Sequence, residues 1–192
     1  PVVYAFEPSP LAFEVLCAEV SGDRAIRPVQ LALGAAPGKA VLYSDRPGSG
    51  LASLHHRDLD YLDITMDCEE EVTVVRLDDF CGERGIERID LLKLDVEGHE
   101  LFVLDGASEM MTRGGIRAVQ FEFGGCNIDS RTFFKDLFYR LRDDYRLFRI
   151  LPGGLVPVDR YRESDELFVT TNYVAFSRDE LFELAQRVRI SW

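Results

Sequence analysis

The sequence of 192 residues lacks several features that would place a protein in a class at once. It has no apolar run near the ~20 residues that a membrane-spanning helix requires, and its first residues do not form a secretory signal pattern. We therefore expect a soluble, cytoplasmic protein that does not contact a membrane. It also has no internal repeat and no low-complexity segment, so at this length one domain over 1–192 is expected.

Cysteine is scarce and widely spaced, because the four cysteines include no CxxC pair. Neither a zinc site nor a disulfide framework is indicated, and no residue set with a known ligand spacing predicts a metal site. Buried free thiols are the simpler interpretation, since unpaired cysteine behaves as a small apolar residue.

Positive charge is also in short supply, with 22 lysine and arginine residues against 34 acidic residues and a net charge of −12. The basic residues form no sustained block, whereas neutralising phosphates requires clustered Lys and Arg. Nucleic acid is therefore not expected as a partner. The hydrophobic share of 46% excludes a disordered chain and supplies a core.

Strands and helices alternate through most of the sequence. A short apolar run, Val2 to Phe6, precedes a Pro-Ser-Pro turn in which Ser9 predicts the start of a helix. The run Ile89 to Leu94 predicts a central strand that is covered on both faces. Three β runs follow one another near the end, and Ser177 to Glu180 predicts the cap of a final helix. This order predicts an α/β sandwich with a mostly parallel sheet and an antiparallel C-terminal edge.

Two helix boundaries are also predicted from local sequence. Asp105 and Gly106 divide the helical segment 97–111 into two pieces, because both residue types disfavour a helix interior. Asp129 or Ser130 is expected to cap the next helix, whose apolar face begins at Phe134.

Acidic residues mark the ends of three predicted strands: Glu7, Asp95 and Glu122. Ligands of open parallel α/β sheets bind beyond the carboxyl ends of the strands, so these side chains are candidates for a site. A carboxylate after an early strand can accept both hydroxyls of a ribose, and we predict this role for Glu7. The alternative is that Glu7 only precedes a helix whose dipole favours negative charge.

The segment Asp95 to Glu100 combines three acids, one histidine and Gly98, which would let a ligand approach the backbone. His99 is a candidate general base near neutral pH, or a residue that orients an acid. The alternative is that the acids cap a helix while His99 is solvated. Lys93 is predicted to point to the opposite face of its strand from Asp95, and His55 with its neighbour is interpreted as a structural or surface pair.

The string IDLLKLDVEGHE over 89–100, with YAFEP over 4–8 before it, resembles the FkbM family of S-adenosylmethionine-dependent methyltransferases. Segments 77–80, 103–107 and 171–175 are also similar to the family, so the resemblance covers nearly the whole chain. It implies a Rossmann-like class I methyltransferase fold with S-adenosylmethionine as the cofactor. It also implies methyl transfer to a hydroxyl oxygen of a sugar, polyketide or similar small metabolite.

The resemblance further implies roles for individual residues around the cofactor. Glu7 would hold the cofactor ribose. Ala32 and Leu33, taken as the end of the strand after the first helix, would approach the adenine. Asp95 would lie at the edge of the cofactor near the reacting methyl group.

Around the acceptor, the resemblance implies that Glu97, His99 and Glu122 face the hydroxyl group that is methylated. A base near a weakly nucleophilic hydroxyl would help the transfer. The candidates for this base are, in order, His99, Glu97 and Asp95.

The family's first strand and glycine-bearing cofactor loop come just before the YAFEP strand, and here only Pro1 to Val3 precede Tyr4. We expect the missing residues to exist upstream in the gene product, because a sheet without its middle strand would expose unpaired edges. Two other functions stay open: a nicotinamide-dependent oxidoreductase, and an inactive module that binds the cofactor. The acceptor and the oligomeric state cannot be predicted from this sequence.

Overall fold

The computed structural model describes residues 1–178 and 180. Ten strands and six α-helices alternate in the described part of the chain. In chain order they are β1 (Val3–Phe6), α1 (Pro10–Glu19), β2 (Ile26–Val29), β3 (Ala32–Leu33), β4 (Gly38–Ser44), β5 (Cys68–Val75), α2 (Leu77–Arg84), β6 (Leu92–Leu94), α3 (Glu100–Asp105), α4 (Ser108–Thr112), β7 (Ala118–Phe123), α5 (Cys126–Ser130), α6 (Phe134–Leu141), β8 (Tyr145–Leu151), β9 (Gly154–Pro157) and β10 (Thr171–Ser177).

The first three elements form the predicted strand-helix-strand unit. β1 and β2 pair in parallel, with Val3 opposite Ile26 and Phe6 opposite Val29. Helix α1 begins directly after Ser9, with Pro10 at its first position. A fixed proline φ suits the first turn of a helix, so the local sequence determines this boundary.

A three-stranded sheet in the order β3-β5-β4 follows. β3 runs parallel to β5, and β4 runs antiparallel to it. Its inner face buries a small apolar cluster of Ala32, Leu42, Val72 and Val74. The sequence predicted apolar runs here, but it did not predict that they form a separate sheet.

The largest sheet has five strands in the order β6-β7-β10-β8-β9. β6 and β7 are parallel, and the other three ladders are antiparallel. The mixed, Rossmann-like α/β class and its antiparallel C-terminal edge are confirmed, although the antiparallel part is larger than predicted. The predicted central place of the strand in 89–94 is wrong for the described residues, because β6 lies at the edge of this sheet and Leu91 is 54% exposed.

The main core lies between one face of this sheet and the helices packed on it. Val103 of α3, Phe121 of β7 and Leu137 of α6 are each fully buried. The predicted apolar stripe of α6 is confirmed, since every one of its four members is buried. Each such side chain contributes roughly 1.5–3 kcal/mol relative to an exposed one.

Two helix boundaries show how tertiary contacts act on local signals. The predicted division at Asp105 and Gly106 is confirmed, and a Cβ at Gly106 would overlap the carbonyl oxygen of Gly34. The predicted cap at Asp129 or Ser130 is wrong, because both residues lie inside α5.

Helix α6 instead begins after Phe133. The first two backbone N–H groups of α6, those of Phe134 and Lys135, donate to the carboxylate of Glu166. A residue far along the chain therefore supplies the acceptors that a local cap would supply.

Three further expectations have mixed outcomes. Cys81 and Cys126 are buried as predicted, whereas Cys17 and Cys68 are half-buried, and all four are free thiols. Among the described residues, no helix combines the length and apolar character needed to span a bilayer. The helix predicted after Ser177 lies largely outside the described residues.

Candidate functional site

The carboxylate of Glu7 lies directly after β1, where the sequence predicts it. Its Oε1 accepts the backbone N–H of Ser9 at 2.8 Å. Burial raises the pKa of Glu7, the Ser9 hydrogen bond opposes that rise, and the charge of Glu70 adds to it. The Ser9 hydroxyl is 1% exposed and has no hydrogen-bond partner among the described residues. A carboxylate beside an unsatisfied hydroxyl suits a ligand that carries hydroxyl groups of its own.

Ala32 and Leu33 do not end the strand that follows the first helix, so this part of the prediction is wrong. That strand is β2, which ends at Val29, whereas Ala32 and Leu33 form β3 and pair with Val74 and Val75. Their own side chains are buried, at 6% and 8% exposure. Leu33 packs into the main core, and Ala32 packs into the small cluster under β4.

Three acidic side chains converge at the carboxyl ends of β6 and β7. Leu94 pairs with Phe121, so Asp95 directly after β6 lies beside Glu122. Asp95, Glu97 and Glu122 each place one carboxylate oxygen within 4.8 Å of the others. Burial raises the pKa of Glu97 and that of Glu122, and the neighbouring carboxylates add to both rises. The structure thus brings together three of the residues that were predicted from the sequence.

Two cations offset part of this negative charge. Nζ of Lys93 lies 2.7 Å from Asp95, so the prediction that they point to opposite faces is wrong. Alternate residues of a strand share a face, which is why the two side chains meet. Nη1 of Arg57 lies 2.7 Å from Glu97, and its Nε lies 3.7 Å from Asp129. Carboxylate oxygens are also what divalent cations bind, but here two of the three already have a basic partner.

The backbone between these acids has an unusual conformation. Glu97 has φ 49° and Gly98 has φ 97°, so two successive residues lie in the left-handed region. A Cβ at Gly98 would come within 2.8 Å of the carbonyl oxygen of Cys126. The approach to the Gly98 backbone that we expected from a ligand is therefore made by Cys126, the first residue of α5.

Glu100 is fully buried, and its carboxylate accepts hydrogen bonds from the backbone of this loop. Its Oε1 accepts the backbone N–H groups of Val96 and Gly98 at 3.3 Å, and its Oε2 accepts Nδ2 of Asn127 at 3.5 Å. Burial raises the pKa of Glu100 to about 7, against the opposing effect of these hydrogen bonds. The sequence places Glu100 among other acids, but no local pattern reveals the partners of its side chain.

His99 points away from the three carboxylates and forms a pair with His55. Nδ1 of His99 lies 3.0 Å from Nε2 of His55, and the His99 ring stacks on Phe102 with centroids 4.6 Å apart. Burial, with a smaller contribution from His55, lowers the pKa of His99 to about 4. The imidazole is therefore neutral at physiological pH.

The segment 53–57 brings three polar side chains onto the loop after β6, and sequence reasoning missed this. The Ser53 hydroxyl donates to the carbonyl oxygen of Glu97 at 2.7 Å, while His55 and Arg57 contact His99 and Glu97. Ser53, His55 and Arg57 are alternate residues of the sequence. This period of two is the signal that could have shown that the three side chains share one face. Nothing local shows which surface the alternating side chains meet.

These features define an α/β protein with a site at the carboxyl ends of parallel strands, as in cofactor-binding enzymes of this architecture. Residues 1–147 match the family of the methyltransferase FkbM domain. The chain belongs to the FkbM methyltransferase family.

Two curated relatives cover part of the chain. 2-O-methyltransferase NoeI of Sinorhizobium fredii is 31% identical over 125 residues, covering 58% of this chain and 49% of that protein. Methyltransferase sdnD of Sordaria araneosa is 29% identical over 133 residues, covering 56% of this chain and 51% of that protein. The chain thus spans about half the length of the curated relatives that it matches.

A solved structure is also similar to this chain. The crystal structure of methyltransferase FkbM from Methylobacillus flagellatus KT aligns over 90% of this chain and 36% of its own. The TM-score is 0.47 and the sequence identity is 16%.

Proposed function

We propose that this protein is an S-adenosylmethionine-dependent O-methyltransferase that acts on a hydroxyl group of a sugar, polyketide or similar small metabolite. The observation that carries the proposal is the convergence of Asp95, Glu97 and Glu122 within 4.8 Å at the strand ends of an FkbM-family chain. The name of the relative NoeI, a 2-O-methyltransferase, supports oxygen as the methylated atom.

The residues at two strand ends fit the chemistry of this cofactor. The carboxylate of Glu7 and the unpartnered hydroxyl of Ser9 suit the adjacent hydroxyls of a ribose. The negative charge around Asp95 suits a sulfonium cation. Because the side chains of Ala32 and Leu33 are buried, a contact with the adenine would come from their backbone. When bound, S-adenosylmethionine supplies a methyl group that is already activated for transfer.

The chain's own residues then have to bind, align and deprotonate the acceptor. Alignment of the hydroxyl oxygen supplies a large part of the rate enhancement, and a base adds ~10²–10⁴-fold. We assign the base to Glu97, because burial raises its pKa against the lowering effect of Arg57, and the ion pair with Arg57 fixes its orientation. The proton of the acceptor hydroxyl would pass to the carboxylate of Glu97 while Glu122 orients the acceptor.

His99, the first candidate from the sequence, becomes a supporting residue in this proposal. A pKa of about 4 makes its imidazole a weak base, and its Nδ1 is already engaged by His55. Asp95 is bound to Lys93 and half exposed, so we place it at the cofactor edge rather than at the transferred proton.

Cofactor binding is tested by calorimetric titration of S-adenosylhomocysteine into the full-length protein. We expect binding, and we expect Glu7→Gln to weaken it at least tenfold because a ribose acceptor is lost. Glu14→Gln is the matched control, since Glu14 is exposed on α1 of the same unit. A folded parent protein that does not bind S-adenosylhomocysteine would contradict the proposed function.

The chemical step is tested by transfer of a labelled methyl group to a panel of methyl glycosides and other hydroxylated small molecules. With an accepted substrate, Glu97→Gln is expected to lower kcat about 10²-fold while the affinity for S-adenosylhomocysteine stays within a factor of three. His99→Gln is expected to have a smaller effect on kcat. Full turnover by Glu97→Gln would remove Glu97 from the catalytic role.

A further inference from the structure

Two fully buried polar side chains connect the loop that carries Glu97 to the turn that follows β7, the strand that carries Glu122. Glu100 accepts the N–H groups of Val96 and Gly98, and it accepts Nδ2 of Asn127. Asn127 in turn accepts the N–H of Gly124 through Oδ1 at 2.9 Å. One chain of hydrogen bonds therefore runs from the loop after β6 to the loop after β7.

This connection reaches both candidate acids at short range. Gly98 is the neighbour of Glu97, and Gly124 follows Glu122 by two residues. Helix α5 also touches the loop after β6 directly, because the carbonyl oxygen of its first residue, Cys126, occupies the space that a Cβ at Gly98 would need. The β7 ladder holds Glu122, so the position of Glu97 relative to it depends on how the loop after β6 is joined to residues 124–127.

We propose that Glu100 and Asn127 are a positioning pair that fixes the carboxylates of Glu97 and Glu122 relative to each other for the reaction. This inference rests on the proposed function and assigns it two residues that do not touch the substrate. A bound hydroxyl group has to meet both acids at once, and a displacement of about 1 Å at such a site can cost 10²-fold in rate.

The proposal can be tested because Glu100 and Asn127 differ in which hydrogen bonds they donate and which they accept. At pH 8, above its pKa of about 7, Glu100 is mostly ionised and only accepts hydrogen bonds, whereas Asn127 donates to Glu100 and accepts from Gly124, so the variants are compared at that pH. In Glu100→Gln, the new amide group would face the amide group of Asn127, donor against donor. If the Asn127 side chain rotated so that its oxygen faced the glutamine, its NH₂ group would face the Gly124 N–H. Two donors would then oppose each other at Gly124 instead.

Exchanging the two side-chain types restores every bond. In the double variant with Glu100→Gln and Asn127→Asp, the glutamine donates to the aspartate and still accepts the Val96 and Gly98 N–H groups. The aspartate also accepts the Gly124 N–H. Asn127→Asp alone would set two carboxylates against each other. The single variants break the pair in different ways, and the double variant repairs it with the charge moved to the neighbouring loop.

The test compares the parent, both single variants and the double variant in the full-length protein. Residue-specific ¹³C NMR of the Glu97 and Glu122 carboxyl groups at pH 8, where Glu100 is mostly ionised, reports on their surroundings without any turnover. The carboxyl chemical shifts depend on neighbouring charges and hydrogen bonds, so they change when the two acids are displaced. We expect both chemical shifts to change in each single variant and to return toward the parent values in the double variant.

Kinetics with an accepted methyl glycoside supply the second readout. Each single variant is expected to lose at least tenfold in kcat with little change in affinity for S-adenosylhomocysteine. The double variant is expected to recover to within threefold of the parent. Glu83→Gln, whose side chain on α2 is 76% exposed, is the control for loss of a glutamate and should behave as the parent.

Two results would overturn the inference: single variants with unchanged carboxyl chemical shifts, or a double variant no closer to the parent than the worse single variant. If one single variant does not fold, the other single variant and the double variant still decide between these outcomes. The proposed function fails separately, since a parent that does not bind S-adenosylhomocysteine can still show the expected pattern of chemical shifts.

Discussion

Two strand-to-helix junctions of this molecule both present acids at a strand end, but they are held in different ways. At the junction of β1 and α1, Glu7 bonds to Ser9 two residues away, and prolines on both sides of Ser9 restrict the backbone. At the junction of β6 and α3, Glu97 is held by Ser53 and Arg57, which lie 44 and 40 residues away. The first junction is built locally, and the second depends on two distant segments, residues 53–57 and 126–127.

The two junctions should therefore respond differently to substitution. A local turn keeps its conformation if one side chain is shortened, because backbone preference alone favours it. A loop with two left-handed residues in succession keeps its conformation only while its surroundings enforce it. The junction after β6 should be the more sensitive of the two. A glycine pair and a pH series test how it is held, and a serine pair compares the two junctions directly.

The largest effect on stability is expected from Gly98→Ala. The new Cβ would lie 2.8 Å from the Cys126 carbonyl oxygen at a φ of 97°, so both a clash and backbone strain oppose folding. We expect a loss of about 3 kcal/mol in the free energy of unfolding, measured by urea denaturation. Gly22→Ala, in open space just after α1, should stay within about 0.5 kcal/mol of the parent. Equal losses in the two variants would contradict the comparison.

The next effect concerns pH, because neighbouring residues His99 and Glu100 have pKa values shifted in opposite directions. Glu100 has a pKa raised to about 7 from 4.5, so the native state keeps a proton that the unfolded chain releases. The stability that this bound proton contributes is therefore lost as the pH rises from 4.5 through about 7. His99 has a pKa lowered to about 4 from 6.5, so the unfolded chain binds a proton that the native state refuses, and stability is lost as the pH falls.

Urea unfolding at pH 5 and pH 6.5 separates the two contributions. Relative to the parent, Glu100→Gln should make stability rise more with pH, by an amount on the order of 2 kcal/mol over this interval. His99→Gln should make stability fall more with pH. Glu14→Gln on α1 should leave the pH dependence of the parent unchanged. If Glu100→Gln and His99→Gln both changed the pH dependence of stability in the same direction, the result would contradict the opposite pKa shifts of the two groups.

The smallest expected effect is a difference in stability between variants of Ser9 and Ser53, two buried serines that are each 1% exposed. Ser53 donates to the Glu97 carbonyl oxygen and accepts the His55 N–H, so Ser53→Ala should cost about 1–2 kcal/mol. The Ser9 hydroxyl has no partner among the described residues, so Ser9→Ala should change the free energy of unfolding by less than about 0.5 kcal/mol. Thermal unfolding of the two variants side by side checks the difference. A larger loss at Ser9 would show that the local junction is the more dependent on side-chain bonds.

Much of the fold and part of the site could be predicted from the sequence. The βαβ unit, the stripe of α6 and the division at Gly106 follow from spacing and from the properties of proline and glycine. The three strand-end acids were also predicted, since their places depend only on where strands end. The start of α6 was not predicted, because the carboxylate that caps it lies at Glu166, about thirty residues away.

The site residues that were missed share this dependence on distant partners. His55 and Arg57 lie in a polar loop, and no local pattern reveals that they meet His99 and Glu97. The low pKa of His99 likewise follows from burial, which the sequence cannot supply. The proposed base is therefore Glu97 rather than His99, the first candidate from sequence reasoning.

The elements, the family resemblance and the acids at the strand ends can be predicted from the chain, because they depend on side-chain type and short-range spacing. Which side chains meet follows only from the fold: Arg57 with Glu97, His55 with His99, and Glu100 with Asn127. Those contacts require the folded chain to bring together segments that are 27 to 44 residues apart. Burial then sets the protonation of the groups it encloses, because the charge of a group depends on the polarity of its surroundings.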